Sequence, residues 1–145
     1  MRLLLASPLL LLAACNGHGG ADDPIGVGGK KPHNYAGVGA GDTLRFTGTE
    51  PFWGGSVSGT ALTYTTPEKP GGITVQVARF AGNNGLAFSG TLEGAAFDMA
   101  VTEGACSDGM SDRSYPLAVS LQIGADKRVG CAWTDKRPFT EPKAP

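Results

Sequence analysis

One stretch of this chain concentrates groups able to bind or react: Cys106-Ser107-Asp108-Gly109-Met110-Ser111-Asp112-Arg113-Ser114-Tyr115-Pro116. Carboxylates and a guanidinium set among hydroxyls can grip a polar partner through charge-assisted hydrogen bonds, which makes Ser107, Asp108, Ser111, Asp112 and Arg113 candidate binding residues. The same groups also have local uses. Ser107 or Asp108 can cap a helical turn over Ser107–Ser114, Gly109 can take a left-handed conformation, and Arg113 can pair with Asp108 or Asp112. A cation held by Asp108 and Asp112 would lack the oxygen ligands that calcium requires, so no metal is expected here.

The second constellation is Gly48-Thr49-Glu50-Pro51-Phe52-Trp53-Gly54-Gly55. Pro51 fixes its own φ and cannot donate to a strand ladder, so the segment must form an edge or a corner. Either Phe52 and Trp53 plug one end of a small core, or Trp53 stands on a rim as a binding anchor with Glu50 and Phe52 beside it.

Catalysis has few candidate groups. Glu50, Glu93, Asp98, Glu103, Asp108 and Asp112 could supply the carboxylate pair of a hydrolase, but only a structure gives their spacing. The two histidines, His18 and His33, both precede the segment expected to fold, where an exposed ring is the expected state. A Ser-His-Asp or Cys-His site therefore has no base. The chain is read as a non-enzyme with no cofactor. Its formal charge of -1 offers no basic field for nucleic acid. The glycine runs at 26–29 and 37–41 lack the flanking strand and helix of a phosphate-binding loop.

The elements that position these groups begin after an N-terminal leader. Arg2 supplies a positive start, and Leu3 to Leu12 is apolar apart from Ser7 and Pro8, a run too short to span a bilayer as a mature helix. It ends in Leu12-Ala13-Ala14-Cys15, which resembles the lipobox of bacterial lipoproteins. That resemblance implies cleavage after residue 14 and diacylglycerol on Cys15, with the membrane as a partner through the lipid. Asn16, in place of an aspartate at the next position, points to the outer membrane, facing the periplasm. With Cys15 assigned to lipid, the other two of the three cysteines, Cys106 and Cys131, can close one disulfide in that oxidising compartment. Closing a loop of about 25 residues would stabilise the fold by roughly 3 kcal/mol.

Residues 15–41, rich in Gly and poor in large apolar side chains, are expected to form a flexible tether holding the domain on the order of 25–30 Å from the lipid. The domain is read over 42–135, and the proline-bearing 136–145 as a loose tail. Alternation of polarity predicts strands near 43–48, 54–58, 61–65, 73–79, 86–91, 96–102, 117–123 and 128–133. Turns are expected at Pro70-Gly71-Gly72, at 82–85, at Glu93-Gly94 and at 124–126. The fold class is all-β: a small antiparallel barrel or sandwich of about eight short strands with one disulfide, the barrel favoured because closure leaves no edge.

Taken together, the lipobox, Gly-Thr-Glu-Pro-Phe-Trp, Tyr64-Thr65-Thr66-Pro67-Glu68 and Cys-Ser-Asp-Gly-Met-Ser-Asp-Arg-Ser-Tyr-Pro…Gly-Cys-Ala resemble a family of uncharacterised bacterial membrane-anchored lipoproteins. A lipid-anchored barrel with one disulfide is also similar in architecture to the membrane-bound inhibitors of c-type lysozyme, although their own sequence motif is absent. That likeness implies a binding loop, here Ser107 to Arg113. The expected function is that of a non-enzymatic, binding or inhibitor-type envelope module that meets an envelope protein or glycan as a monomer. The alternatives are a carboxylate-dependent hydrolase of an envelope substrate and a structural role in envelope integrity.

Overall fold

The structure is a computed structural model describing residues 34–142; the leader, Cys15, both histidines and most of the expected tether lie outside the described residues. Eight antiparallel strands follow in chain order: β1 (Thr43–Gly48), β2 (Trp53–Ser58), β3 (Ala61–Thr66), β4 (Lys69–Ala81), β5 (Gly85–Leu92), β6 (Ala95–Cys106), β7 (Tyr115–Ile123) and β8 (Asp126–Thr134). Each pairs with the next, and β8 pairs back onto β1 through Leu44↔Thr134 to Thr47↔Cys131, closing a barrel. The barrel expected from the strand pattern is thus the one observed, and closure leaves every strand paired on both sides. One expectation about turns changes. Pro70-Gly71-Gly72 lies inside β4, and the chain reverses instead at Pro67-Glu68.

Alternation along the strands puts one face of each inside. Leu44 and Phe46, Val57, Leu62 and Tyr64, Leu86 and Phe88, Phe97, Met99 and Val101, and Leu117, Val119 and Leu121 fill the interior. The largest rings fit because glycines face them. A Cβ on Gly48 would lie 2.2 Å from the Trp53 indole nitrogen, one on Gly130 would lie 2.9 Å from the same ring, and one on Gly55 would lie 2.8 Å from Phe46. Four rings pack in sequence across the barrel: Phe46 on Trp53 (5.8 Å between centroids), Trp53 on Tyr64 (6.2 Å) and Tyr64 on Phe97 (6.2 Å).

The two ends differ. The upper end carries the reversals at 49–52, 67–68, 93–94 and 124–125, and the lower end those at 59–60 and 82–84. The lead-in segment closes the lower end. The Tyr35 amide donates to the Gly82 carbonyl (2.6 Å), Val38 is buried in the core, and Arg79 donates to the Val38 carbonyl (2.9 Å). The folded unit therefore begins before residue 42, the boundary expected from glycine content.

The tail is also ordered over its described part, contrary to the expectation of a loose end. Arg137 grips the Glu103 carboxylate with both terminal nitrogens (2.5 and 2.6 Å), and the Tyr35 hydroxyl bonds the same carboxylate. Thr140 forms a two-way bridge with Ser114. The described residues 34–142 lie in one compact unit with a closed sheet and its own core, so this unit holds the contacts it folds with.

Candidate functional site

Cys106 and Cys131 form the expected disulfide, with Cα atoms 5.6 Å apart. Its placement explains the loop. Cys131 lies opposite Thr47 and Ala118, on the outward phase of β8, yet it is fully buried. The bridge fastens the end of β6 and the segment after it across the outside of the barrel.

The segment forms bends, not the expected helical turn over Ser107–Ser114. Asp108 makes the bonds of a cap, as expected, but no helical turn follows it: its carboxylate accepts from the N–H groups of Met110 (3.0 Å) and Ser111 (2.7 Å), and from the hydroxyls of Ser111 (2.6 Å) and Tyr115 (3.1 Å). These donors, led by the Ser111 hydroxyl, hold the Asp108 carboxyl far below its ordinary range. The Ser107 hydroxyl accepts from the Gly109 amide (3.2 Å), and Gly109 takes a φ of 74°. Arg113 reaches the tail, meeting Glu141 at 2.9 Å and lying 4.5 Å above the Phe139 ring. Of the loop's candidate binding residues, Ser107, Asp108, Ser111 and Arg113 thus shape the loop, and Asp112 is exposed.

Beneath the loop lies a small external cluster outside the main core. Tyr115, Trp133 and Phe139 pack mutually at 5.4, 5.4 and 5.6 Å between centroids. Trp133 stands on the outward phase because its partner Arg45 lies between inward Leu44 and Phe46.

The second constellation divides at the corner. Trp53 is 4% exposed and belongs to the core, so it is not a rim anchor; Phe52 is 54% exposed and plugs nothing. Phase decides this, since Trp53 shares an inward face with Val57. Glu50 is exposed, with a left-handed φ of 61° before a cis peptide to Pro51. The two constellations meet: the Thr49 hydroxyl donates to the Asp108 carbonyl (3.0 Å), joining the corner to the disulfide loop.

Between them, on the outer wall of β1 to β3, runs a groove of ≈ 420 Å³. Phe52 and Trp133 provide aromatic walls, and Thr47, Gly54 and Thr65 lie side by side as its floor, aligned by the pairings Thr47↔Gly54 and Gly54↔Thr65. A Cβ on Gly54 would approach the Phe46 carbonyl to 3.0 Å, so a glycine keeps the floor low. Arg45 lines the groove with its charge matched by Asp135 at 2.6 Å. Trp133 and Arg45 are the residues that the sequence reading missed. Arg45 had a signal in its phase, since it alternates with Leu44 and Phe46; Trp133 had none, because the apolar pattern of β8 places it on the wrong face.

The carboxylates considered for hydrolysis take separate positions. Glu93 pairs with Lys69, Glu103 with Arg137, and Asp108 holds its turn, while Glu50, Asp98 and Asp112 are exposed on different elements. The Arg137 guanidinium, first among the neighbours, lowers the Glu103 carboxyl from its usual range. Among the described residues, no group of three or more His, Cys, Asp or Glu is placed to hold a metal ion. Comparison with protein-family models, curated proteins and solved structures finds no match to this chain.

Proposed function

We propose that this chain is a non-enzymatic lipoprotein, anchored through Cys15 to the periplasmic face of the outer membrane, whose barrel binds a saccharide of the cell envelope in the Phe52–Trp133 groove. The anchor rests on the leader and its lipobox. The observation that carries the binding reading is that two aromatic residues, Phe52 and Trp133, line one groove together with the hydroxyl-bearing Thr47, Thr65 and Thr66. A pyranose ring has a C–H face that packs on an aromatic ring and a rim of hydroxyls that exchange hydrogen bonds with threonines. Charge supports the same ligand class: Asp135 neutralises Arg45, leaving no net field for a charged peptide to complement. The disulfide loop acts here as a buttress, holding Trp133 from behind through Tyr115 and Phe139.

The test uses the chain without residues 1–15, which retains the whole compact unit, and titrates it with murein sacculi and with soluble N-acetylglucosamine oligomers. Saturable binding is expected, weakened about tenfold by Phe52→Ala, a loss of the size expected for one aromatic contact. Because Phe52 is exposed, its removal leaves the fold intact. Binding unaffected by Phe52→Ala, or no binding to either saccharide, overturns the proposal.

A further inference from the structure

The upper mouth of the barrel holds a second hollow, of ≈ 300 Å³, separate from the outer groove in what it can bind. Its floor is Tyr64, one ring of the aromatic stack. Ile73, Leu92 and Ile123 form an apolar wall, and the ion pair of Lys69 with Glu93 joins β4 to the β5–β6 turn at the rim. The volume is at the lower end of the range of about 300–1,000 Å³ for small-molecule sites, which favour the mouths of β-barrels.

One cation facing this hollow forms no ion pair among the described residues, although the Glu68 carboxylate lines the same hollow beyond ion-pair distance. Arg128 occupies an inward position of β8, opposite buried Leu121, and is half-buried. Its Nη1 donates to the Tyr64 hydroxyl at 2.5 Å, and it forms no ion pair among the described residues. Arg45, Lys69, Arg113, Lys136 and Arg137 have carboxylate partners; of the other described cations without one, Arg79 donates to the Val38 carbonyl at the lower end and Lys127 is exposed, so neither faces this hollow. Burial raises the Tyr64 phenol above its ordinary pKa, so it stays neutral and cannot compensate the guanidinium. Glu68, also at the rim, is held low mainly by its own backbone amide and by Thr66, and Arg128 acts on it only through space. A guanidinium has five N–H donors in a planar fork that matches a carboxylate, and leaving them unpaired in a partly apolar site is costly.

The geometry points to a binding site for a small amphiphilic carboxylate, its acid group paired with Arg128 and bonded by the Tyr64 hydroxyl, its hydrocarbon against Ile73, Leu92 and Ile123. Both features are needed, a fork with no ion pair and an apolar wall beside it. A bare inorganic anion leaves the wall empty, and an uncharged alkyl chain leaves the fork unpaired. The Lys69–Glu93 pair sits at the rim, where side-chain rotation can admit the ligand.

The test is calorimetric titration of the chain lacking residues 1–15 with octanoate, and with octanol and inorganic phosphate as comparisons. Octanoate is expected to bind saturably at one site, and octanol and phosphate at least about tenfold more weakly, the loss of a charge-assisted pair being of that order. Arg128→Gln should weaken octanoate at least about tenfold, and Arg128→Lys should retain more of the affinity than Gln because it keeps the charge. Ile73→Trp fills the hollow from its apolar side without touching the guanidinium, and should also weaken octanoate, which keeps the test decisive if the Arg128 variants fail to fold. No saturable octanoate binding, equal binding of octanol, or octanoate affinity unchanged in Arg128→Gln or in Ile73→Trp would each overturn the site.

Discussion

Phe139→Ala tests whether residues after β8 are part of the folded structure, as their contacts indicate, or a tail as their proline content suggests. The ring is half-buried, with Tyr115 and Trp133 on it at 5.4 and 5.6 Å and Arg113 above it at 4.5 Å. Full burial of a phenylalanine is worth about 1.5–3 kcal/mol, so half of it supplies roughly 1–1.5 kcal/mol. Two aromatic contacts add about 0.5–1.5 kcal/mol each, and the exposed cation–π contact about 0.5 kcal/mol. Release of the tail returns some backbone entropy to the variant, leaving a net loss of roughly 2 kcal/mol. With a urea dependence of about 1.5 kcal/mol/M, the unfolding midpoint falls by roughly 1.3 M. A second observable identifies the site: of the two tryptophans only Trp133 touches Phe139, so native emission should shift to the red while Trp53 stays buried. Phe80→Ala is the control, since Phe80 is 68% exposed and its loss should change stability by less than about 0.5 kcal/mol. If Phe139→Ala behaves like Phe80→Ala, with no shift in emission, the external cluster does not contribute as argued.

Three further outcomes follow from the geometry. Gly130→Ala should destabilise by about 3 kcal/mol or prevent folding, because the new Cβ would lie 2.2 Å from the Thr47 carbonyl at the β8–β1 closure; a thermal melt within a few degrees of the parent would refute the tight approach. Burial, with Glu103 next, raises Tyr35 from 10.0 to about 12, so its contribution to stability is complete below pH 10 and lost as pH rises from 10 towards 12. Absorbance titration of tyrosinate should show a step near 12 that Tyr35→Phe removes, and persistence of that step in the variant would contradict the assignment. Asp108 is lowered from 3.8, so its stabilising effect is present above that value and lost as pH falls below it; Asp108→Asn should flatten the acid limb of the stability profile, and an unchanged slope below pH 4 would count against the turn network.

How far the chain can be read in advance depends on which contacts are local. The eight strands and the disulfide were legible because alternation and turn chemistry act over a few residues, and cysteine pairing needs only a count. The split between Phe52 and Trp53 was legible in principle, since Trp53 keeps phase with Val57, but the proline corner hides where that phase begins. The ordering of both ends was not: Tyr35 meets Glu103 across 68 residues and Arg137 meets it across 34, and a segment rich in glycine or proline looks unpacked until its long-range partner is known. At Pro70-Gly71-Gly72 the residues are those of a turn, yet they lie in β4, where Gly72 takes a φ of 74° close to the threonines of β3.

The most instructive failure of pattern is β8. Its larger apolar residues, Val129, Cys131 and Trp133, point outward, and its inward phase is Arg128, Gly130, Ala132 and Thr134. Read by amphipathicity alone, the strand would be turned over, with its tryptophan in the barrel and its arginine in water. Three constraints fix the opposite register. Gly130 and Ala132 must be small because Trp53 and Phe46 already fill the interior beside them. Cys131 and Trp133 can face out because the disulfide loop and the tail cover them. Arg128 can face in because the strand there has reached the upper mouth, where a guanidinium sits on Tyr64 at the edge of the core. An inverted strand therefore marks both candidate surfaces at once: its outward aromatic is one wall of the exterior groove, and its inward cation is the unpaired group in the mouth.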